Sequence, residues 1–555
     1  MRFYLSLYLL VAGFYLLTAS GRVGLSDSVA MLNVAQSVID KGSFSSEPCE
    51  LDLHDLHTGS TIGCVPGAGG RRYAGYGLVP SLLVVPAILC ARSISNRVHV
   101  NPLVTSKAGV SIFTLLVASL VCVVLAVWML KLGYHRRTAA AAASILAFAS
   151  PFWHNSVMGF LSEPYFTLAL LTAACVLSNP RSRFACALAG IAFGVACGTR
   201  LNGVILFPAF VLSMAFHNRM HKLSVPQFLR DFVQFSTSFS VCALLIAWAN
   251  YARFGSPFKT GYHLTFPSIS ILLSTPLFRG LCGVLFNGEV GLLIFAPWVL
   301  IAFACVPRFA QAHLSESLLC GASFLIYVLF FAKYFDWHGG WVAGPRLLAP
   351  VLPFLVVTMA PAIEYVQQPA VLKQRPWVVA SSLMVVVFIS AGMAIQVVGT
   401  AFPVERYYSL MEFYKHKPAM PWWSGSIPLA SVDFLSRMSA TKGQATHAGE
   451  FDQLTARHEA ELAFAAADSA ATEEEFLGRF PNSANLTSPN FIWLKVRLMG
   501  LPASVGLAYL VAVVVIGFAG AVGLFLGDGS RLNQPKSHVQ SDILGVRRDS
   551  PVSAG

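Results

Sequence analysis

Residues 108–130 read AGVSIFTLLVASLVCVVLAVWML, and residues 131–137, which follow directly, read KLGYHRR. An uncharged apolar run of this length is long enough to cross the hydrocarbon core of a bilayer as a helix. Basic residues close to the end of such a run mark the cytoplasmic side of the membrane. This stretch therefore predicts a membrane-spanning helix whose C-terminal end faces the cytoplasm, and it orients the rest of the chain.

The composition of the whole chain agrees with a membrane protein. Of its 555 residues, 55% are hydrophobic and 12% are charged, and the mean hydropathy is +0.64. The Lys and Arg residues behind the formal charge of +12 lie mostly in short connections between apolar runs, where they orient spans and meet lipid headgroups. The charge therefore predicts contact with membrane lipids and no binding of nucleic acid.

Further apolar runs recur along the chain with the same pattern of basic flanks. The predicted spans are 3–19, 108–130, 138–153, 165–177, 184–199, 201–216, 232–251, 290–306, 317–332, 347–363, 377–398 and 502–526. We therefore predict an all-α membrane protein with about 12 transmembrane helices. Both termini are predicted to be cytoplasmic.

The segments outside the spans divide into a long first outer loop, an outer C-terminal region and a tail. The predicted boundaries are 1–398 for the membrane domain, 399–501 for the extracytoplasmic region, 502–527 for the last span and 528–555 for a disordered cytoplasmic tail. The first outer loop covers 20–106, with a helix lying on the outer surface over 78–94, and a water-exposed helix is predicted over 450–476. Long loops often carry function.

The cysteines and histidines give little sign of a metal. Most of the eleven cysteines lie inside apolar runs, where a thiol packs as a small side chain. Cys49 and Cys64 share the first outer loop and are either free or joined in a disulfide, which requires an oxidising compartment. There is no CxxC, HExxH or His-rich cluster, so the sequence predicts no structural metal site and leaves open only a divalent cation held by carboxylates.

Two acidic residues stand beside predicted spans on the outer side. A charge next to hydrocarbon costs several kcal/mol unless it has a partner or a function. Asp27 precedes a half-buried helix and is either a general base or a helix cap. Glu163, in the outer turn 161–164, is either a first-turn helix anion or a second carboxylate for substrate or cation. Both are candidate catalytic residues.

Basic residues on the outer side form a second group, because the positive-inside tendency makes them less expected there. Each either binds the phosphate of an anionic lipid or snorkels to headgroups. They are Arg71, Arg72, Arg200, Arg253, Lys259, Lys333 and Arg346. The densest patch is 333–346, KYFDWHGGWVAGPR, whose glycines and Gly-Pro turn predict a tight polar loop that contacts a ligand.

Several motifs resemble, in the same order, those of the polytopic C-type glycosyltransferases, which take sugars from polyprenyl-phosphate carriers. The resemblance covers roughly residues 1–365 and is to bacterial members near the protein mannosyltransferase and lipid A aminoarabinose transferase branch. The motifs are the acidic loop around Asp27, RYAGYG at 72–77, SEP at 162–164, GTR at 198–200, YARFGSP at 251–257 with Gly261 and Tyr262, and 337–346.

The resemblance implies a sugar-transfer reaction on the extracytoplasmic face. Asp27 would deprotonate an acceptor hydroxyl, on a sugar, lipid or protein, for inverting attack on the sugar carbon. Phosphate would leave with the lipid, and Arg200, Arg253 or Arg346 would balance its charge. The candidate substrate-binding residues are Arg72, Tyr76, Arg200, Arg253, Lys259, Lys333, Asp336, His338 and Arg346.

Two departures from the family pattern limit these expectations. Residues 287–291 read NGEVG, where relatives often carry a Pro-Gly-basic-Gly turn, so no phosphate role is expected for this turn. The motif around Asp27 offers a single Asp, unlike the paired acids of some branches, which makes use of a metal doubtful.

Two other classes of protein remain as alternatives. A polytopic transporter or lipid flippase has a similar number of spans, but carriers place charges in mid-span and often have repeated halves. A noncatalytic envelope-assembly subunit would use residues 399–501 as a docking surface. Loss of sugar transfer in a folded Asp27→Asn variant would separate an enzyme from both.

Overall fold

The computed structural model describes residues 1–23, 26–47, 63–178, 184–265, 268–368, 376–402, 404–415, 417, 419–437, 491–496 and 501–528. Within these residues the chain is helical apart from one two-stranded sheet. It is an all-α membrane protein, as the apolar runs predict. Cys49, the helix predicted over 450–476 and the predicted tail beyond Asp528 lie outside the described residues and stay predictions.

In the N-terminal part of the chain, shorter helices and two strands lie between the first helix and the 30-residue helix Pro102–Lys131. The helices of this part are α1 (Arg2–Leu17), α2 (Ser26–Lys41), α3 (Val79–Leu83), α4 (Val85–Val98), α5 (Pro102–Lys131), α6 (Arg136–Phe148) and α7 (Pro151–Val157). Strands β1 (Cys64–Pro66) and β2 (Arg72–Ala74) pair antiparallel, with Cys64 opposite Ala74. Arg92 of α4 binds both oxygens of Asp40 on α2, at 2.5 and 2.9 Å, which fixes α4 against the first loop.

The remaining helices form the rest of the bundle and its outer cap. They are α8 (Glu163–Leu177), α9 (Ala185–Thr199), α10 (Phe207–Met220), α11 (Val225–Phe254), α12 (Gly261–Thr265), α13 (Ile269–Leu272), α14 (Leu277–Phe286), α15 (Leu292–Phe295), α16 (Val299–Ala312), α17 (Leu314–Lys333), α18 (Leu352–Thr358), α19 (Ala360–Val366), α20 (Pro376–Ala401), α21 (Val404–Lys415), α22 (Ile427–Arg437), α23 (Ile492–Lys495) and α24 (Ala503–Asp528). Three 3-10 helices cover Ala68–Gly70, Leu201–Leu206 and Arg346–Val351.

Among the described residues, 6 helices are long and apolar enough to cross a membrane, or up to 7 if one bent pair counts as a span. They are Pro102–Lys131, Leu201–Met220, Val225–Phe254, Leu314–Lys333, Val379–Ala401 and Ala503–Leu526, and the bent pair is Arg346–Thr358 with Ala360–Val366. The other five predicted spans fall on helices of 13 to 16 residues. A helix of about 15 residues rises only ~22 Å, less than the ~30 Å hydrocarbon core, so twelve full spans are not confirmed.

The run 78–94, predicted as one helix on the outer surface, is two short helices. α3 and α4 meet at a break around Val84, and Pro80 and Pro86 stand in their first turns because a proline lacks the N–H that a helix interior needs. Neither helix is among the spans that pass by length and apolarity.

Helices α1 and α24 pack antiparallel, so the start of α1 lies beside the end of α24. Tyr509 of α24 donates to the carbonyl of Leu16, while Gly523 lies beside Ser6 near the start of α1. The guanidinium of Arg136, in the basic connection between α5 and α6, lies 6.0 Å from the ring centroid of Phe3. The beginning of α1, the end of α24 and this basic connection therefore share one end of the bundle, which we call the basic end.

The contact between α1 and α24 depends on glycine. A side chain at Gly13 would meet the backbone of Gly517 at 2.5 Å, whereas one at Gly517 would meet its nearest neighbour at an ordinary 3.7 Å. We therefore expect Gly13→Ala to lower the melting temperature of the purified protein, since overpacking costs about 1–3 kcal/mol. Gly517→Ala, the matched control, should be neutral or slightly stabilising. Equal effects of the two substitutions on thermal unfolding would contradict this packing.

The main apolar core fills the space between α1, α5 to α10 and α16 to α19. Its buried tryptophans find polar partners: Trp153 donates to the hydroxyl of Thr18 at 3.0 Å, and Trp298 to the carbonyl of Ala149 at 2.7 Å. A second apolar cluster, around Tyr407, is built from α21 and α22. This outer cap lies against the loop that precedes Arg346.

Candidate active site

Four charged side chains meet at the end of the bundle opposite the basic end. Asp27 lies in the first turn of α2, and Glu163 is the first residue of α8. Arg200 stands at the break between α9 and the 3-10 helix Leu201–Leu206, and Arg346 begins the 3-10 helix Arg346–Val351. We call Asp27, Glu163, Arg200 and Arg346 the charged cluster. Each member sits at a helix end because a charge inside an apolar helix would be expensive.

Arg346 joins the two carboxylates. Its Nε donates to Oε1 of Glu163 at 2.5 Å, and its Nη2 donates to Oδ2 of Asp27. Nη1 of Arg200 donates to the same Oε1 of Glu163 at 2.6 Å. Two carboxylates and two guanidinium groups therefore form a balanced network, in which each buried charge has a partner.

The four side chains differ in how far they reach the surface. The side chain of Glu163 is 0% exposed, against 9% for Arg346, 12% for Asp27 and 13% for Arg200. Glu163 therefore forms the floor of the cluster and holds both arginines, while Asp27 and Arg200 form its rim.

Asp27 makes a local contact as well as the long-range one. Its Oδ1 accepts a hydrogen bond from the backbone N–H of Ser28 at 2.9 Å, and an anion in the first turn of a helix is electrostatically favoured. The contact with Arg346 spans 319 residues of sequence. Helix stabilisation alone requires no such partner, so the geometry supports the reading of Asp27 as more than a cap.

Two tyrosines lie beside the charged cluster. The rings of Tyr76 and Tyr262 are 6.3 Å apart and nearly perpendicular. Burial raises the pKa of Tyr76, and the negative charge of Asp27 raises it further. Burial also raises the pKa of Tyr262. Both phenols are therefore neutral at physiological pH and can donate a hydrogen bond to an anionic ligand.

Arg253 has a different environment from Arg200 and Arg346. Its Nη1 donates to the backbone carbonyls of Ala74 at 3.2 Å and Tyr76 at 2.9 Å, and its Nη2 donates to Oδ1 of Asn250 at 2.9 Å. The guanidinium also lies 4.8 Å from the ring centroid of Phe254. These contacts tie the first outer loop to the end of α11 and thereby position Tyr76.

We expect Arg253→Gln to loosen the first outer loop. Arg253 is 5% exposed, and its removal leaves buried carbonyls without a donor, at a cost of about 1–3 kcal/mol each. Hydrogen exchange of residues 72–78 should therefore speed up by at least tenfold, while exchange in α24 stays unchanged. Arg230→Gln, on the same helix but exposed and paired with its neighbour Asp231, is the control. Unchanged exchange in the loop would contradict the tethering role.

The other residues that the sequence singles out are spread along the same outer end. Arg72 lies on β2, and Lys259 is exposed in the connection before α12. Lys333 is the last residue of α17 and is half-buried. Asp336 accepts a hydrogen bond from the N–H of Gly339 at 3.1 Å, which closes a turn in its own loop. Their roles in binding stay predictions.

His338 contacts a residue that sequence reasoning passed over. Its Nε2 lies 2.6 Å from Oε2 of Glu289, and Oε1 of Glu289 accepts a hydrogen bond from the hydroxyl of Tyr407 at 2.6 Å. Glu289 belongs to the turn 287–291, which was noticed only as a departure from a family pattern. Tyr407 lies 118 residues further on, and nothing in either local sequence indicates the contact.

Within the described part of the chain, no group of three or more His, Cys, Asp or Glu side chains is close enough together to hold a metal ion. In the charged cluster, Arg346 occupies an oxygen of Asp27 and one of Glu163. The two carboxylates there are paired with two guanidinium groups, so the formal charges of the cluster cancel.

No family model matches this sequence, and no curated protein does. Solved structures are similar to it in fold. The apo oligosaccharyltransferase of Archaeoglobus fulgidus is 12% identical over 75% of this chain and 59% of its own, with a TM-score of 0.49. ArnT of Cupriavidus metallidurans, bound to undecaprenyl phosphate, is 12% identical over 93% of this chain and 77% of its own, with a TM-score of 0.43.

Both are C-type membrane glycosyltransferases. The chain spans about three fifths of the length of the oligosaccharyltransferase it matches. At these identities and TM-scores the likeness describes a general arrangement of helices, so the chemistry of this chain has to be argued from its own residues.

Proposed function

We propose that this protein is a membrane glycosyltransferase that moves a sugar from a polyprenyl-phosphate carrier to a hydroxyl or amine acceptor on the extracytoplasmic face. The observation that carries the proposal is the charged cluster, in which Arg346 bridges Asp27 and Glu163 and Arg200 binds Glu163. It combines a carboxylate near the surface with two guanidinium groups. Sugar transfer from a lipid phosphate needs these same groups, a base for the acceptor and cations for the leaving phosphate.

The proposed sidedness follows from the two ends of the bundle. The basic connection at 131–137 lies beside the start of α1, and the charged cluster lies beyond the other end of α1, around α2. Lys and Arg in short connections favour the cytoplasm, so the charged cluster faces outward and both chain ends face inward. We further propose that the five shorter apolar helices also cross within the bundle, which gives twelve spans.

The reaction begins when the carrier phosphate reaches the rim. Guanidinium groups bind phosphate oxygens in a bidentate manner, so Arg200 and Arg346 turn toward the phosphate and Arg346 releases Asp27. The freed carboxylate of Asp27 then accepts the proton of the acceptor hydroxyl. The acceptor oxygen forms a bond to the sugar carbon, the bond from that carbon to the phosphate oxygen breaks, and its electron pair leaves with the polyprenyl phosphate.

Glu163 acts in this scheme as a positioning residue. Its side chain is fully buried, so it meets neither sugar nor acceptor, and its charge keeps both arginines in place before the phosphate arrives. Tyr76 and Tyr262 supply neutral hydrogen-bond donors beside the phosphate. No step in this scheme uses a metal ion, and the cluster offers no open carboxylate pair to hold one.

The test is a measurement of lipid-linked sugars by mass spectrometry in a strain that lacks the gene. A polyprenyl-phosphate sugar should accumulate and should disappear when the wild-type gene is restored. Cysteines placed at the rim, beside Asp27 and Arg200, should be labelled from the outside of intact cells. Unchanged lipid-linked sugars would contradict the proposed reaction, and labelling from the cytosol would contradict the proposed side of the membrane. Both results together would favour a transporter or an assembly subunit.

A further inference from the structure

Glu289, His338 and Tyr407 form a network on three separate elements, which we call the clasp. Glu289 lies in the turn between α14 and α15, His338 in the loop between α17 and Arg346, and Tyr407 on α21. The side chains of Glu289 and His338 are 19% and 25% exposed, so water has only partial access. None of the three belongs to the charged cluster, and the proposed sugar transfer uses none of them.

The hydrogen bonds of the clasp fix where its protons are. The backbone N–H of Gly425 donates to the oxygen of Tyr407 at 3.1 Å, and the Tyr407 hydroxyl donates to Glu289. Nδ1 of His338 faces the carbonyl of Gly340 at 3.1 Å, and its Nε2 faces the carboxylate of Glu289. A carbonyl and a carboxylate can only accept, so both ring nitrogens of His338 must carry a proton. The clasp is complete only with a charged imidazolium.

The loop that the clasp holds leads directly to Arg346. Gly339 and Gly340 both have positive φ values, 81° and 83°, a conformation that side-chain-bearing residues rarely adopt. Further along, the N–H of Gly344 donates to the carbonyl of Glu289 at 2.8 Å. Glu289 therefore binds the loop twice, once by its side chain and once by its backbone, and the second contact is two residues from Arg346.

The outer cap grips the same loop from the other side. The hydroxyl of Tyr408 donates to the carbonyl of Val342 at 3.1 Å, and the ring of Tyr408 stacks on Trp341 with centroids 5.4 Å apart. The groups that face His338 are Glu289 from the turn, Tyr408 from α21 and Asp336 from its own loop. The only charges among them are carboxylates, which favour the protonated imidazole.

We propose that His338 is a positioning residue, which holds Arg346 in the charged cluster only while the imidazole of His338 is protonated. Glu289 is the partner whose carboxylate makes the position of Arg346 depend on that proton. The proposal rests on the proposed function for its effect on catalysis. Its structural part is independent, because deprotonation removes one of the two hydrogen bonds that His338 donates within the loop and to Glu289, whatever reaction the charged cluster performs.

The pH window follows from the two titrating groups. Burial alone would lower the pKa of His338, but the hydrogen bond and charge of Glu289 raise it above its ordinary value of about 6.5. Burial alone would raise the pKa of Glu289, but the hydrogen bonds from His338 and Tyr407 lower it. The clasp is therefore complete from about pH 4.5 to pH 6.5 and is lost as the pH rises through the raised pKa of His338.

Hydrogen exchange of the purified protein in lipid nanodiscs tests the structural part, with rates corrected for intrinsic pH dependence. Protection of residues 336–346 in the wild type should fall by about ten- to hundredfold between pH 6 and pH 9, because a hydrogen bond to a charged group is lost. Protection of α24 should stay constant over the same range. Protection of 336–346 that does not change with pH would overturn the proposal.

Glu289→Gln is the decisive variant, since a carboxamide satisfies a neutral imidazole. The introduced amide N–H can donate to Nε2 of His338 while its oxygen still accepts from Tyr407. Residues 336–346 should therefore be equally protected at pH 6 and pH 9. His338→Phe should give the low protection of the wild type at pH 9 at both values. His221→Phe, which replaces an exposed histidine at the basic end, should behave as wild type. Wild-type pH dependence in Glu289→Gln would overturn the proposal.

The catalytic part uses the pH profile of kcat/KM for sugar transfer. The wild type should lose activity above the pKa of His338, whereas Glu289→Gln should keep its activity to higher pH. An alkaline fall that persists in Glu289→Gln, combined with the expected exchange results, would show that the clasp titrates without positioning Arg346. Absence of transfer in every variant and in the wild type would contradict the proposed function and leave the exchange results to decide on the clasp.

Discussion

Replacing Asp27 with Asn is expected to reduce sugar transfer by about 10²- to 10⁴-fold, the usual contribution of a general base. The amide keeps the size of the carboxylate and can still accept a hydrogen bond from Arg346 through its oxygen. Removing one carboxylate from the charged cluster should lower the melting temperature, but by less than Glu163→Gln does, because the side chain of Asp27 is 12% exposed and that of Glu163 is 0% exposed. The amide cannot take up the proton of the acceptor hydroxyl. The measurement is the rate of transfer from a polyprenyl-phosphate sugar with purified protein in nanodiscs.

Asp40→Asn is the matched control for this substitution. Asp40 lies on the same helix as Asp27 and pairs with an arginine, Arg92, but its side chain is 48% exposed and it is not part of the charged cluster. Its variant should transfer sugar at the wild-type rate. If Asp27→Asn transferred sugar at the same rate as Asp40→Asn, Asp27 would not be the base.

Glu163→Gln is expected to have the largest effect on stability. The substitution leaves two buried guanidinium groups with a single carboxylate between them, and breaking a buried ion pair from one side costs about 3–5 kcal/mol. The melting temperature should fall steeply, and what protein remains folded should bind the carrier lipid less well because Arg200 and Arg346 repel each other. Thermal unfolding in nanodiscs measures the first effect and titration with polyprenyl phosphate the second.

A second substitution separates charge imbalance from loss of packing. In Glu163→Gln with Arg200→Gln, the buried charges balance again, so the double variant should be more stable than the sum of the two single effects predicts. Glu364→Gln at the other end of the bundle, where the carboxylate lies near His135, should change little. Strict additivity of the two single effects would mean that Glu163 and Arg200 do not interact in the folded protein.

The turn 287–291 illustrates where a motif comparison fails. Comparison with the family pattern indicates only that this turn lacks a basic residue, and it assigns no role to Glu289. In the fold, Asn287 closes the turn by accepting from the N–H groups of Glu289 and Val290, which presents the Glu289 carboxylate to His338 and Tyr407. A local pattern gives the shape of a turn, but the partner that gives its side chain a role is distant in sequence.

The predicted spans show a similar division between what is local and what is not. Long uncharged runs such as 108–130 are recognisable because a helix must satisfy its own backbone in lipid, and this needs only local sequence. The shorter runs, including 138–153, form helices that are too short to cross the membrane by length alone. Whether a short helix crosses depends on the neighbours that shield its ends, which a hydropathy pattern does not contain.

The sequence by itself determined that this is an all-α membrane protein, because apolar length and the placement of basic residues are properties of each segment taken alone. It also selected Asp27, Glu163, Arg200 and Arg346, since a charge beside an apolar run is expensive and therefore conspicuous. Only the tertiary structure decided that these four share one network while Arg253 holds a backbone loop. Long-range packing brings together helix ends separated by up to 319 residues, and no single segment encodes which of the others it will meet.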